Sequence, residues 1–228
     1  MGQFLQSEKN TQTTWKLNTS ELSEKAKSDG LFKGRPLSYF IENNHTSQNL
    51  FEGIREQSIA YFKNHGIPWH DNIGDYPSAH LCDSQVCCVN FLMPLTKSEE
   101  VTLNLFKRYF PDITKVLPMD DDSCISFEWI GEENYLKEKI RPGTERQRGK
   151  FCTSVDGAVM FETNGGKKII VLIEWKYTES YKAKSYQFSA KGTDKTTIYQ
   201  HLWEKESCPI RKDDIPSFED LFYEPFYQ

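Results

Sequence analysis

The chain has 228 residues, a formal net charge of −5, 27% charged and 14% aromatic residues, and a mean hydropathy of −0.66. That length carries one large domain, or one domain with a substantial helical appendage, and the acidity excludes a protein that coats polyanions through bulk charge, though not one with a local basic patch. No apolar run nears the roughly 20 residues a membrane-spanning helix needs.

Residues 1–30 are polar and rich in Ser, Thr, Lys and Glu, so a loosely ordered N-terminus is expected, followed by a single domain over 31–228. The opening MGQFLQSEKNTQTTWK has no basic stretch leading into an apolar one, and no secretory signal is expected. HTSQNLFEGIREQSIAYFKNHG predicts a helix over about 47–65, with Leu50, Ile54, Tyr61 and the neighbouring Phe51, Ser58 and Phe62 in one broad stripe and Gly66 as its stop. SQVCCVNFLMPL (84–95) is apolar on all sides and therefore buried. Thr96-x-x-Glu99 reads as a capping box opening a helix that ends before Pro111. Ile125, Phe127 and Trp129 alternate as in a short strand, and GEENYLKEK predicts a helical turn or two. The six cysteines (Cys82, Cys87, Cys88, Cys124, Cys152, Cys208) lack CxxC spacing, which favours reduced, small apolar thiols over a zinc site built with His80.

KEKIRPGTERQRGK (137–150) follows, with Lys137, Lys139, Arg141, Arg146, Arg148 and Lys150 set against Glu138 and Glu145. A solvated loop is the plain reading of such a stretch. A phosphate-contacting loop is the alternative, and Lys139, Arg141, Arg146, Arg148 and Lys150 are its candidate nucleic-acid contacts.

FCTSVDGAVMFE (151–162) and KIIVLIEWKY (168–177) read as two strands around the turn TNGGK. The second is apolar on both faces until Glu174, the pattern of a central strand. A two-residue Asn164-Gly165 loop would place Asp156 and Glu174 on opposite faces. A three-residue loop ending in a left-handed glycine, Gly165 or Gly166, places them on one face, and this form is predicted. Beyond the hairpin, TESYKAKSYQFSAKG is irregular. GTDKTTIYQHLWEKE predicts a helix starting near Thr193 or Asp194, and Ser217-x-x-Asp220 has the form of a cap.

Asp156, Glu174 and Lys176 bring two carboxylates and an ammonium together at a sheet margin. Two such carboxylates repel and favour sharing a proton, and a hard divalent cation removes the conflict. Lys176 can orient a water or hold a phosphate oxygen. The plain alternative is that Glu174 and Lys176 form an ordinary ion pair. Trp175 and Tyr177 point away and are expected in the core; His65, His70 and His80 read as loop histidines.

The Asp156…Glu174-x-Lys176 pattern resembles the PD-(D/E)xK nuclease superfamily, with Val155 where the nominal proline stands. TSVDGAVMF, LIEWKYTESY, KGTD and FEDLFYEPFYQ, with DSQVCCVNFLMPL upstream, look like a bacterial restriction-endonuclease-like family within it, over about residues 45–228. The resemblance implies an α/β (α+β mixed) fold with a central mixed sheet flanked by helices. Asp156, Glu174 and the Trp175 backbone carbonyl would bind Mg²⁺ (Mn²⁺ in its place), and Lys176 would assist the attacking water. Glu128 and Glu138 are candidates for the upstream acid some members add. Relatives continue past FYEPFYQ, so a chain lacking the closing strand is expected. The implied partner is DNA, with RNA also open, and a protein partner or second copy beside it. A nucleic-acid-binding or assembly module that keeps the fold without catalysis is the other reading.

Overall fold

The structure, a computed structural model, describes residues 3–71, 75–121, 123–138, 142–179, 184–189, 192–208 and 210–223. Two units divide the chain, Met1–Ile130 with Pro142–Thr178, and Gly131–Arg141 with Glu179–Gln228.

In the first unit the N-terminus forms a 16-residue helix, α1 (Gln3–Asn18). The loosely ordered start expected from composition is not what these residues build. One reason is Lys16, whose side chain is fully buried while its ammonium donates to Asp29 Oδ1 at 2.8 Å and to the Phe40 carbonyl at 3.0 Å. The other is a small satellite core, Leu22, Ala26, Phe40, Ile41, Ala79 and Leu81, drawn from segments far apart in the chain. A two-stranded ribbon, β1 (Gly30–Phe32) and β2 (Arg35–Leu37), packs beside it.

The helix expected from residue 47 begins later, as α2 (Arg55–Asn64). Before it the chain makes two 3₁₀ turns, and extended ψ values at Leu50 and Phe51 break the helical path. Arg55 holds this break by donating to the Ser47 and Leu50 carbonyls. The stop is as expected, with Gly66 at φ +64°. Helix α3 (Ser84–Leu92) is capped by Asp83, whose carboxylate accepts from the Val86 N–H. Helix α4 (Glu99–Lys107) is capped by Ser98 rather than Thr96. Thr96 is buried, with its hydroxyl bound to the Met93 carbonyl and to Gln57.

The main sheet contains β3 (Ile113–Leu117), β4 (Ile125–Trp129), β5 (Val155–Thr163) and β6 (Lys168–Ile173), antiparallel in every described pair. β3 escaped the sequence reading. Met160 is opposite Leu117 and Ile170, and Val159 opposite Ile125 and Val171. β3 and β4 therefore run end to end along one edge of β5, with β6 along the other. β5, not β6, is the central strand. Ile169, Val171 and Ile173 of β6 pack into the core, while Ile170 and Leu172 are 45% and 54% exposed. Phe127, Val159 and Phe161 meet the helices on that core face: Phe62 stacks on Trp69 and tilts against Phe127, Phe106 meets Phe161, and Leu92 crosses Gly157. This is an α+β arrangement of the kind the resemblance implies.

Within the second unit, residues 131–138 form turns, not the helical turns expected. Helix α5 (Thr196–Trp203) follows Asp194, whose carboxylate accepts from the Thr196 N–H and hydroxyl. Ser217 and Asp220 form the reciprocal cap read from sequence. Trp203 stacks on Phe218, and Phe222 is buried against Phe218 and Tyr199.

Candidate functional site

The hairpin between β5 and β6 closes with three residues, 164–166. Thr163 and Lys167 face each other across it, the Thr163 N–H donating to the Lys167 carbonyl at 2.9 Å. Gly166 takes the left-handed conformation, φ +73°, and its N–H donates to the Thr163 carbonyl. The ladder then runs in even register from Glu162–Lys168 to Gly157–Ile173. The next position places Asp156 across from Glu174 on one face, as the turn argument requires.

β6 ends at Ile173, and past it the backbone hydrogen bonding changes. The Trp175 N–H donates to Asp156 Oδ2 at 2.5 Å. Asp156 thus ties the two strand ends together with its side chain. Lys176 Nζ lies 2.6 Å from Glu174 Oε1, with 30% and 43% of the two side chains exposed. The ion pair of the plain alternative is therefore present, within reach of Asp156. Burial pushes the Asp156 carboxyl up to about 6 against the Trp175 hydrogen bond, and the charge on Glu174 adds to the rise. Cys88 of α3 responds to the same cluster: burial first, then the negative charges of Asp156, Glu128 and Glu174, push its thiol upward.

The segment after Lys176 is anchored at a distance. The Tyr177 hydroxyl donates to Glu8 Oε2 at 2.9 Å and accepts from Gln12 Nε2 at 2.8 Å, both on α1. The Thr178 hydroxyl donates to the Cys82 carbonyl. Trp175 packs on the core and tilts against Phe91.

Glu128 is the sheet's buried acid, 5% exposed. The pairs Phe127–Gly157 and Trp129–Val155 place it opposite Asp156 on the other side of β5. Glu128, Asp156 and Glu174 thus occupy one row across β4, β5 and the end of β6. Glu128 sits at φ +47°, which breaks the strand's alternation. Its carboxylate accepts from Gln85 Nε2 and from the Ser154 hydroxyl, each at 2.7 Å, beneath Gly149. His70 Nε2 lies 3.9 Å away. Glu138, the other candidate acid, belongs to the second unit, where its N–H donates to Asn134.

The basic loop divides. Lys139 and Arg141 lie outside the described residues. Lys150 is exposed and lies over the Phe151 ring, and Arg146 is half-buried. Arg148 is not free to track phosphate: its guanidinium grips both oxygens of Asp120 and donates to the Tyr61 hydroxyl at 3.2 Å. Tyr61 in turn donates to Asp120 and accepts from the Phe127 N–H. Burial opposes ionisation of Asp120, but the hydrogen bonds from Arg148 and Tyr61 outweigh it and hold the carboxyl below its usual range. Burial, with Asp120 beside it, pushes the Tyr61 hydroxyl up to about 12. On α5, Tyr199 packs on Phe222, and Gln200 donates to Glu204.

The oxygen donors that the resemblance offers a divalent cation are Asp156, Glu174 and the Trp175 carbonyl. Among the described residues no three His, Cys, Asp or Glu side chains converge as a ready-made cage. That donor set fits Mg²⁺, which keeps several waters and takes one or two carboxylates plus phosphate oxygens. The six cysteines are free thiols.

A family model described as restriction endonuclease associating with ARP matches residues 9–228. The chain belongs to that family. No curated protein and no solved structure matches it. Membership in a restriction-endonuclease family agrees with the α+β fold and with a nuclease-like role. No described helix is long and apolar enough to cross a membrane.

Gln85 and Ser154, which hold Glu128, were not legible from sequence. Their signal is three-dimensional: α3 carries Gln85 to β4 from 43 positions away.

Proposed function

We propose that this member of the restriction-endonuclease family hydrolyses DNA phosphodiester bonds in the manner of PD-(D/E)xK nucleases, with Mg²⁺ as the cation and Mn²⁺ able to replace it. The observation that carries the reading is the even register of the β5–β6 hairpin, which sets Asp156 opposite Glu174 with Lys176 beside them. Asp156 and Glu174 hold the cation, with the Trp175 carbonyl as a further donor. A divalent cation there supplies charge neutralisation at the phosphate and a more acidic water. Lys176 exchanges its contact with Glu174 for the attacking water or a phosphate oxygen. The backbone hydrogen bond from Trp175 fixes the Asp156 carboxylate, so the donor is oriented before substrate arrives.

The direct Glu174–Lys176 pair favours a second reading, a nucleic-acid-binding or assembly module without catalysis. The family's description, associating with ARP, supports a protein partner under either reading. The free thiols go with a reducing cytoplasmic location.

Cleavage of plasmid and oligonucleotide DNA, with RNA in parallel, separates the readings when wild type is compared with Glu174→Ala and Lys176→Ala in Mg²⁺ or Mn²⁺. Cutting by wild type and its loss in both variants, with binding retained, is expected. Equal cutting by all three proteins would falsify the site. Binding without cutting by the wild type favours the silent module.

A further inference from the structure

Glu128 is a buried carboxylate that the proposed chemistry leaves unused. Its position is costly: a non-glycine residue with a left-handed backbone and a side chain taken almost wholly from water. The hydrogen bonds it receives from Gln85 and Ser154 come from neutral groups. The cationic side chain nearest to it among the described ion pairs is His70, 3.9 Å from Oε1 and 53% exposed.

A single amide links the carboxylate to the backbone that carries His70. Gln85, itself buried, donates through Nε2 to Glu128 and accepts through Oε1 from the backbone N–H of His70 at 2.8 Å, while also donating to the Pro68 carbonyl. Gly149, at φ +65°, closes over the carboxylate, and a Cβ there would lie 3.3 Å from Glu128 Oε2. A buried carboxylate 3.9 Å from an imidazole that is half exposed to solvent is an arrangement suited to proton transfer.

Its place in the sheet gives the pair a direction. In the row Glu128, Asp156, Glu174, the ammonium of Lys176 attaches to the Glu174 end and His70 to the Glu128 end. The outer strand positions of such a row are about 10 Å apart. In-line displacement at phosphorus needs the attacking and leaving oxygens on opposite sides. The row therefore has Lys176 beside one end and His70 beside the other, with Asp156 between.

We propose that His70, oriented by Glu128, is a catalytic residue that protonates the leaving oxygen. The inference rests on the nuclease reading above. In the step, the water oxygen forms a bond to phosphorus as the bond from phosphorus to the bridging oxygen breaks. The electron pair of the broken bond stays on the bridging oxygen, which takes the proton from His70. The proton released by the attacking water passes to solvent, and solvent returns one to the imidazole. Glu128 and Gln85 are positioning residues: Glu128 lies beside the ring and Gln85 holds the backbone that carries it.

The test uses a duplex oligonucleotide containing a cleavage site first mapped on plasmid DNA, with the leaving bridging oxygen identified from the product ends. A second duplex carries sulfur in place of that oxygen, because a thiolate leaves without a proton. Both are cut by wild type, His70→Ala, His70→Asn and Glu128→Gln in Mn²⁺. Each variant should slow cutting of the oxygen duplex by about 100-fold or more, the usual contribution of a general acid. Cutting of the sulfur duplex should stay within a few-fold of wild type. Thermal melts of the three variants confirm that they are folded.

Equal losses on both duplexes, or no loss on either, would overturn the role of His70 and leave the nuclease reading standing. Failure of the wild type to cut either duplex or the plasmid would remove both.

Discussion

Arg148→Ala distinguishes a structural arginine from a phosphate contact. The guanidinium is 18% exposed and the Asp120 carboxylate 8%, so removing Arg148 strands a nearly buried anion. Loss of one partner from a buried pair costs about 3–5 kcal/mol. Tyr61 remains as a donor and Arg148 is not fully enclosed, which places the expectation at the lower end, about 3 kcal/mol. For a chain of this size that lowers the melting temperature by about 6–12 °C. Urea denaturation of wild type, Arg148→Ala, Asp120→Asn and the double variant gives the coupling directly, and the double variant should be much less than additive. DNA binding measured across salt concentrations, at a temperature where the variant stays folded, supplies the second readout. A lost phosphate contact reduces the slope of log affinity against log salt by about 1. Arg148→Ala should leave that slope unchanged. A stability loss below about 0.5 kcal/mol, or a reduced salt slope, would refute the structural assignment.

His80 packs edge-on against Tyr39 and Phe40, and burial first, then the charge of Lys9, lowers its pKa to about 4. The unfolded chain therefore takes up the proton first as pH falls. This contribution to stability is complete above about pH 6.5, is lost progressively toward pH 4, and is worth about 3 kcal/mol at most. Denaturation midpoints should fall more steeply over that window for wild type than for His80→Phe. Gly166→Ala meets no atom within 4 Å but keeps φ +73°, so it should cost only about 1 kcal/mol and retain cutting. Deleting Gly165 instead moves the register by one and should abolish cutting, which plasmid assays check. Because Asp156 takes up a proton as pH falls through about 6, Mn²⁺ affinity measured by calorimetry should weaken below that pH, and in Asp156→Asn the weakening should disappear.

What the sequence made legible was what is local. The turn TNGGK set the hairpin register because a left-handed glycine in a three-residue loop has one geometric outcome, and that register aligns Asp156 with Glu174. Gly66 and Ser217 likewise announced a helix stop and a cap through neighbouring atoms. The misreadings concern long-range contacts. α1 looked too polar to order, and its fixed points, Lys16 against Phe40 and Tyr177 against Glu8, cross 24 and 169 positions. Arg148 looked like part of a basic loop because Asp120, 28 positions earlier, gives no sign of being buried. β6 read as central because its apolar run resembles an enclosed strand, yet Ile170 and Leu172 face outward. Glu128 was a candidate by position, but its backbone twist and its hold by Gln85 belong to the folded chain alone.

The grip of α1 on Tyr177 makes the segment bearing Glu174 and Lys176 answer to the far end of the polypeptide. Glu8 and Gln12 hold the chain one residue past Lys176, so an event that lifts the first helix would slacken the segment after β6 without touching either carboxylate.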